Sequence, residues 1–191
     1  MANQDIMVRS GFSWWRIVGW GMAAALLLLP LIAMQITNEV DWSLSDFVIM
    51  GILLGSIGLM FEFIVRKSNH VAYRAGATIA LVTTFLLIWV NLAVGFIGSE
   101  DNPANLMYLG VLLVGISGAF VARFEAAGMA RALASAAVVH AAIGVLAFTS
   151  GMGATEPPGP VKLFVLNAVW VASWAFSSWL FRRAAAETDH A

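Results

Sequence analysis

The chain has 191 residues, of which 61% are apolar and only 11% charged, with a net charge of -1 and no cysteine. Soluble domains carry about 25% charged residues, so this composition excludes a soluble globular protein. The missing cysteines exclude disulfides, thiolate metal sites and thiol nucleophiles, and the near-neutral balance offers nucleic acid no attraction.

A helix needs about 20 apolar residues to cross a hydrocarbon core about 30 Å thick. Six runs qualify, over roughly 17–36, 47–65, 75–97, 105–122, 132–150 and 163–181. The expected fold is all-α: a polytopic membrane helix bundle of six transmembrane helices, forming one integral-membrane domain over 1–191 with the lipid bilayer as its first partner. Within these residues no stretch remains for a soluble catalytic domain. Basic residues beside a span resist translocation. Arg9 and Arg16 precede the first span, Arg66, Lys67 and Arg74 follow the second, Arg123 and Arg131 the fourth, and Arg182 and Arg183 the sixth. Nine of the ten Lys and Arg residues therefore fall on one side, with Lys162 on the other. That predicts N- and C-termini in the cytoplasm.

The first span is too long for a signal-peptide core and no small-x-small cleavage site follows it, so it reads as a retained anchor. Pro30 is expected to kink it. Trp14 and Trp15 suit the inner interface and Trp42 the outer one. The loops without Lys or Arg are acidic, with Glu39, Asp41 and Asp46 in the first, Glu100 and Asp101 in the second and Glu156 in the third. These carboxylates read either as ordinary solubilising charge or, at Asp46, Glu100 and Asp101, as a cation-attracting outer mouth.

The second span carries Gly51, Gly55, Gly58 and Glu62 on one helical face. A glycine face admits a close neighbouring helix and turns Glu62 toward protein. Glu62 then either pairs with Arg66, four residues on, or serves as a proton or cation ligand. In the third span Thr84, Ile88, Asn91 and Gly95 share a stripe with Trp89 beside it, and an interhelical hydrogen bond is the commonest use of such an Asn.

Between the third and fourth spans, Asp101 or Asn102 is placed to cap a helix that Pro103 opens. The letters Asn102-Pro103-Ala104 also spell the aquaporin signature. That family needs two such motifs, each opening a half-helix, whereas this chain has one in front of a full span, so the aquaporin reading fails. The longer string Trp89-x-Asn91-x-Ala93-Val94-Gly95, followed by Gly98-Ser99-Glu100-Asp101-Asn102-Pro103-Ala104-Asn105-Leu106, resembles one found in small uncharacterised bacterial inner-membrane proteins. The resemblance covers only the middle of the chain. It implies a multi-pass protein of the bacterial inner membrane and brings no activity with it.

A pattern in the second span, Gly51-x-Leu53-Leu54-x-x-Ile57-x-x-x-Phe61, recurs in the fourth as Gly110-x-Leu112-Leu113-x-x-Ile116-x-x-x-Phe120. If this reflects a duplication, 47–97 and 105–150 form a parallel hairpin repeat. Spans two to five would then be the core and spans one and six its flanks. In the fifth span Ala132, Ala136, His140 and Gly144 form one small-residue stripe, which places His140 inside the bundle. It reads either as a packing residue or as a titrating or ligating one. A bis-histidine haem needs a second histidine at depth, and His70 and His190 lie in a loop and the tail. The Pro-rich stretch before the sixth span reads as a stiff cap, with Glu156 and Pro157 within it. In the sixth span Asn167, Trp170 and Trp174 share a face, with Ser177 and Ser178 a turn further on. Those rings either pack against neighbours or stack on a quinone or pigment.

No nucleophile with its base, phosphate loop, zinc spacing or paired catalytic carboxylates is present, so no catalytic residue, metal or cofactor is called for. Three classes remain. One is a non-enzymatic accessory bundle that binds another membrane protein or itself. Another is a small ion or proton-linked channel or transporter along a polar path of Glu62, Asn91, His140 and Asn167. The third is a haem or quinone redox subunit.

Overall fold

The computed structural model describes residues 14–152 and 158–188. Arg9, Glu156, Pro157 and His190, with the side chain of Trp15, lie outside the described residues. Everything regular among the described residues is helical: α1 (Trp14–Ile36), α2 (Leu44–Lys67), α3 (Val71–Ala93), a 3-10 turn (Pro103–Leu106), α4 (Met107–Val121), α5 (Ala126–Thr149) and α6 (Pro160–Thr188). Six helical segments are long and apolar enough to cross a membrane, as an integral membrane protein requires. The 15 residues of α4 span only about 23 Å at 1.5 Å per residue. The 3-10 turn in front of it extends the segment by about 8 Å, to the thickness of a hydrocarbon core.

The chain divides into two compact units, one ending at Met60 and the other starting at Phe61. In the first, α1 continues through Pro30 to Ile36. Gly58 of α2 faces Trp20, and a Cβ there would lie 3.0 Å from the indole ring. Ser43 and Asp46 form a capping box at the start of α2: the Asp46 carboxylate accepts from Ser43 N–H at 2.7 Å, and Ser43 Oγ accepts from Asp46 N–H at 3.4 Å. Asp46 therefore has a structural duty that does not depend on an outer mouth.

In the second unit α5 packs between α4 and α6, and α6 packs between α5 and α3. The sixth span is thus not a flank but a central member of this core. Small residues allow the close approaches. A Cβ on Gly118 of α4 would fall 2.7 Å from Ala132 Cβ of α5, one on Gly144 of α5 2.9 Å from Asn167 Cβ of α6, and one on Gly76 of α3 3.1 Å from the Phe181 ring of α6. These pairs also make neighbouring helices antiparallel. The starts of α3 and α5 therefore share one end of the unit with the finishes of α4 and α6. Arg66, Lys67, Arg74, Arg123, Arg131, Arg182 and Arg183 all belong to this basic end. The opposite end holds the 94–106 segment and the start of α6.

The α4–α5 turn at the basic end places Arg123 and Phe124 at φ 50° and 59°, a left-handed conformation that costs about 1–2 kcal/mol per non-glycine residue. The turn is held by Phe124 N–H on Ala119 O at 3.1 Å and by Tyr73 OH on Phe124 O at 2.6 Å. The Phe124 ring also packs edge-on against Phe63.

Four helix limits differ by four residues or more from those expected of apolar run length, one being the start of α3 at Val71 instead of 75. α5 starts at Ala126, putting Arg131 inside the helix, and α6 runs on to Thr188, well beyond position 181. Both extensions are rich in alanine, a strong helix former, and helices continue past the point where charge ends a hydrophobic run. Conversely α3 stops at Ala93 instead of reaching 97, because the chain turns at Gly95 with φ 72°.

Candidate functional site

The site is assembled at the loop end of the second unit. Along α5 the stripe Ala132, Ala136, His140 and Gly144 is buried throughout, and His140 is 0% exposed. Gly144 lets α6 come close enough for Asn167 to sit against its backbone, and further along Ser178 of α6 bonds Ala130 of α5. This antiparallel register sets His140 level with Trp170. His140 lies nine residues before the end of α5, about 14 Å along the axis, and so within the depth of the hydrocarbon.

The 94–106 segment closes this end. Gly95 and Gly98 both have positive φ, 72° and 67°, and between them the chain turns inward so that Phe96 and Ile97 are wholly buried. At Gly95 a Cβ would also lie 2.6 Å from Asn105 Nδ2. Backbone without helical partners at this depth must find others. Asn105 supplies them: its Oδ1 accepts from Phe96 N–H and Ile97 N–H, each at 2.9 Å, and its Nδ2 donates to Ile97 O at 3.3 Å and Ser99 O at 2.7 Å. Asn102 caps the following turn through Ala104 N–H at 3.0 Å, with Pro103 at its first position.

Phe96 then enters a ring cluster. Its ring centroid lies 4.6 Å from Tyr108, 4.9 Å from Trp170 and 6.3 Å from His140, and Tyr108 is 5.3 Å from His140. Tyr108 OH donates to Asn167 Oδ1 at 3.0 Å, and Asn167 Nδ2 donates back to Leu163 O at 2.8 Å. These bonds fix the tyrosine and the amide.

The remaining polar atoms are not satisfied. Asn167 is the polar side chain that interacts with the imidazole, yet neither His140 Nδ1 nor Nε2 makes a well-formed hydrogen bond among the described residues. Nor does the buried Nε1 of Trp170 or of Trp174. An unpaired buried donor or acceptor costs about 1–3 kcal/mol, so a cluster of them calls for a physical reason.

Of the residues expected to line a polar path, the structure brings two together, His140 and Asn167. Asn91 bonds Leu87 O of its own helix at 2.8 Å, leaving its Oδ1 buried without a partner. Glu62 pairs with Arg66 at 3.3 Å, as the i to i+4 spacing predicts, near the point where α2 leads into the 68–70 connection. That is the basic end, opposite His140. Glu100 and Asp101 are exposed on the turn of the 94–106 segment, and Asp46 belongs to the first unit. Among the described residues no three His, Asp or Glu side chains are grouped to hold a metal ion.

Phe96, Asn105 and Tyr108 were not singled out by sequence reasoning. A signal existed for two of them. Tyr108 is one of only two tyrosines in the chain, and it interrupts an apolar run. Asn105 follows a Gly-x-x-Gly pair and a capped Pro103, where a free amide can reach back to the loop it ends. Phe96 carries no such mark, because an aromatic residue in an apolar run reads as lipid-facing until the helix is known to have stopped.

Comparison with protein-family models, with curated proteins and with solved structures gives no match.

Proposed function

We propose that the protein is a non-enzymatic multi-pass component of a bacterial inner membrane that associates with another membrane protein, with the basic end of its second unit in the cytoplasm. The observation that carries this reading is how polar side chains are used. In the second unit Ser177, Ser178, Asn105, Tyr108 with Asn167, and Arg74 all serve joints between helices or between a helix and a loop, and Glu62 is paired with Arg66 within α2. A scaffold requires such joints. In the first unit, Gly51 and Gly55 share a face of α2 where an added Cβ meets no described atom within 4 Å. Small side chains let a second backbone come close in lipid.

Purification in mild detergent tests this. Another membrane protein is expected to co-elute in fixed ratio, to be released by Gly51→Leu with Gly55→Leu, and to be retained by His140→Leu. Elution of the wild-type chain as a bare monomer from both mild detergent and native nanodiscs would refute association. The sidedness is read by cysteines placed in this cysteine-free chain. Position 123 should be labelled only from the cytoplasmic face and position 100 only from the opposite face.

A second reading is favoured by His140 alone. A wholly buried histidine with neither nitrogen bonded suits a proton-linked channel or transporter, with the exposed Glu100 and Asp101 at the same end as a cation-attracting entrance. Proton flux in proteoliposomes should then fall in His140→Ala. Equal flux in both proteins, or none above empty vesicles, removes this reading.

A further inference from the structure

The Phe96 ring sits in a cage whose walls are more polar than their occupant. Tyr108, His140 and Trp170 come from three different helices, whereas Phe96 comes from the loop that closes them off. The ring is edge-on to Trp170, with an interplanar angle of 82°, and tilted at 37° to Tyr108. Such geometries are ordinary for aromatic packing. The hydrogen-bonding inventory is not ordinary. Trp170 Nε1 is a donor only, and a neutral imidazole offers one donor and one acceptor. All three nitrogens are buried without a hydrogen-bond partner, and a phenyl ring offers an N–H no more than a weak contact with its π face.

We propose that this cage is a binding site for the headgroup of a membrane-soluble quinone, and that the Phe96 ring fills it when the quinone is away. A quinone headgroup shares the flat six-membered ring of Phe96 and adds ring carbonyls, each able to accept from the Trp170 indole N–H or the His140 imidazole N–H. Tyr108 is excluded from that role by its bond to Asn167 and instead supplies a fixed aromatic wall. The depth of His140 implies approach from the lipid phase, which suits a headgroup carried on an isoprenoid or alkyl tail. Asn105 holds the loop backbone at Phe96, Ile97 and Ser99, so the exchange falls on the Phe96 side chain and not on the fold. The proposal concerns binding only, and it stands apart from both readings of function above.

The test is titration of the detergent-solubilised full chain with decylubiquinone, followed by quenching of tryptophan fluorescence and by calorimetry, with decylbenzene as the tail-only control. Saturable binding is expected for decylubiquinone and not for decylbenzene. Phe96→Ala, which removes the internal competitor, should bind at least tenfold more tightly. Trp170→Phe and His140→Leu should each weaken binding at least tenfold while leaving the thermal unfolding midpoint near wild type. No saturable binding in either the wild type or Phe96→Ala overturns the proposal, and so does wild-type affinity in both Trp170→Phe and His140→Leu. Photolabelling of the wild-type chain with an azidoquinone keeps the test decisive if Phe96→Ala does not fold. Label on Tyr108, His140 or Trp170 supports the site, and label scattered over lipid-facing positions refutes it.

Discussion

The two ends of the second unit are built from the same helices and the same small-residue approaches, yet they treat polar groups in opposite ways. At the basic end Ser177 Oγ donates to Gly76 O and Ser178 Oγ to Ala130 O, each at 2.6 Å, so consecutive residues of α6 tie it to α3 and α5. Arg74 reaches back to Val65 O, Ser68 O and Asn69 Oδ1, each at 2.7 Å, which closes the end of α2. His70 Nε2 meets Glu187 at 2.7 Å across the start of α3 and the end of α6, although its Nδ1 stays unpaired. At the loop end the backbone is equally well served by Asn105, but His140 and Trp170 are left without partners. The difference separates residues that hold the bundle together from residues that the bundle holds. Removing the first kind should cost stability, and removing the second should not.

The largest effect is expected at Asn105, the residue that makes the loop end possible. Asn105→Ala would leave Phe96 N–H and Ile97 N–H buried and unpaired, and at 1–3 kcal/mol for each such donor the loss should be about 3 kcal/mol. Reversible unfolding in mixed detergent measures it, and a loss below about 1 kcal/mol would mean the loop backbone is not buried as described. Gly95→Ala should follow at about 2 kcal/mol, since it forces a side chain into a positive φ and against the Asn105 amide. The two losses should fall short of adding, because both release the same segment.

How far this contrast was legible in the sequence follows from what each feature depends on. The six spans depend on apolar run length, and the cap at Asn102-Pro103 depends on neighbouring residues, so both could be read directly. The burial of His140 could be read from its place on an alanine and glycine stripe, and the Glu62–Arg66 pair from its spacing. The cage could not be read, because it depends on the chain leaving the helix at Ala93, and an apolar run gives no warning of that beyond Gly95 itself. The central place of α6 was hidden for a related reason. Sequence repetition between the second and fourth spans drew attention to spans two to five, whereas packing is decided by which faces carry small residues and serines.

Ser177→Ala should cost about 1 kcal/mol, in keeping with interhelical hydrogen bonds in membranes. It deletes the donor to Gly76 O, and a carbonyl already in a helix tolerates the loss better than an isolated one. The same unfolding assay applies, and Ser178→Ala should give a similar value. A cost near zero for Ser177→Ala would mean that Gly76, Tyr73 and Phe181 hold α3 to α6 by packing alone.

The smallest effect is expected at the most deeply buried polar side chain, and there the contrast is tested most sharply. His140→Leu replaces an imidazole with an apolar group of similar volume. A joint residue so treated leaves its former partner stranded, as Ser177 would. His140 has no hydrogen-bonded partner to strand, and the change removes two unpaired nitrogens from an apolar setting, so stability should stay within about 0.5 kcal/mol of wild type or rise. Asn167 keeps its bonds to Tyr108 and Leu163, which the substitution does not touch. A loss above about 2 kcal/mol would show that the imidazole is bonded in the membrane, through a bound water or a rotated Asn167. The loop end would then be as closed as the basic end, and His140 would join Asn105 and Ser177 as a structural tie.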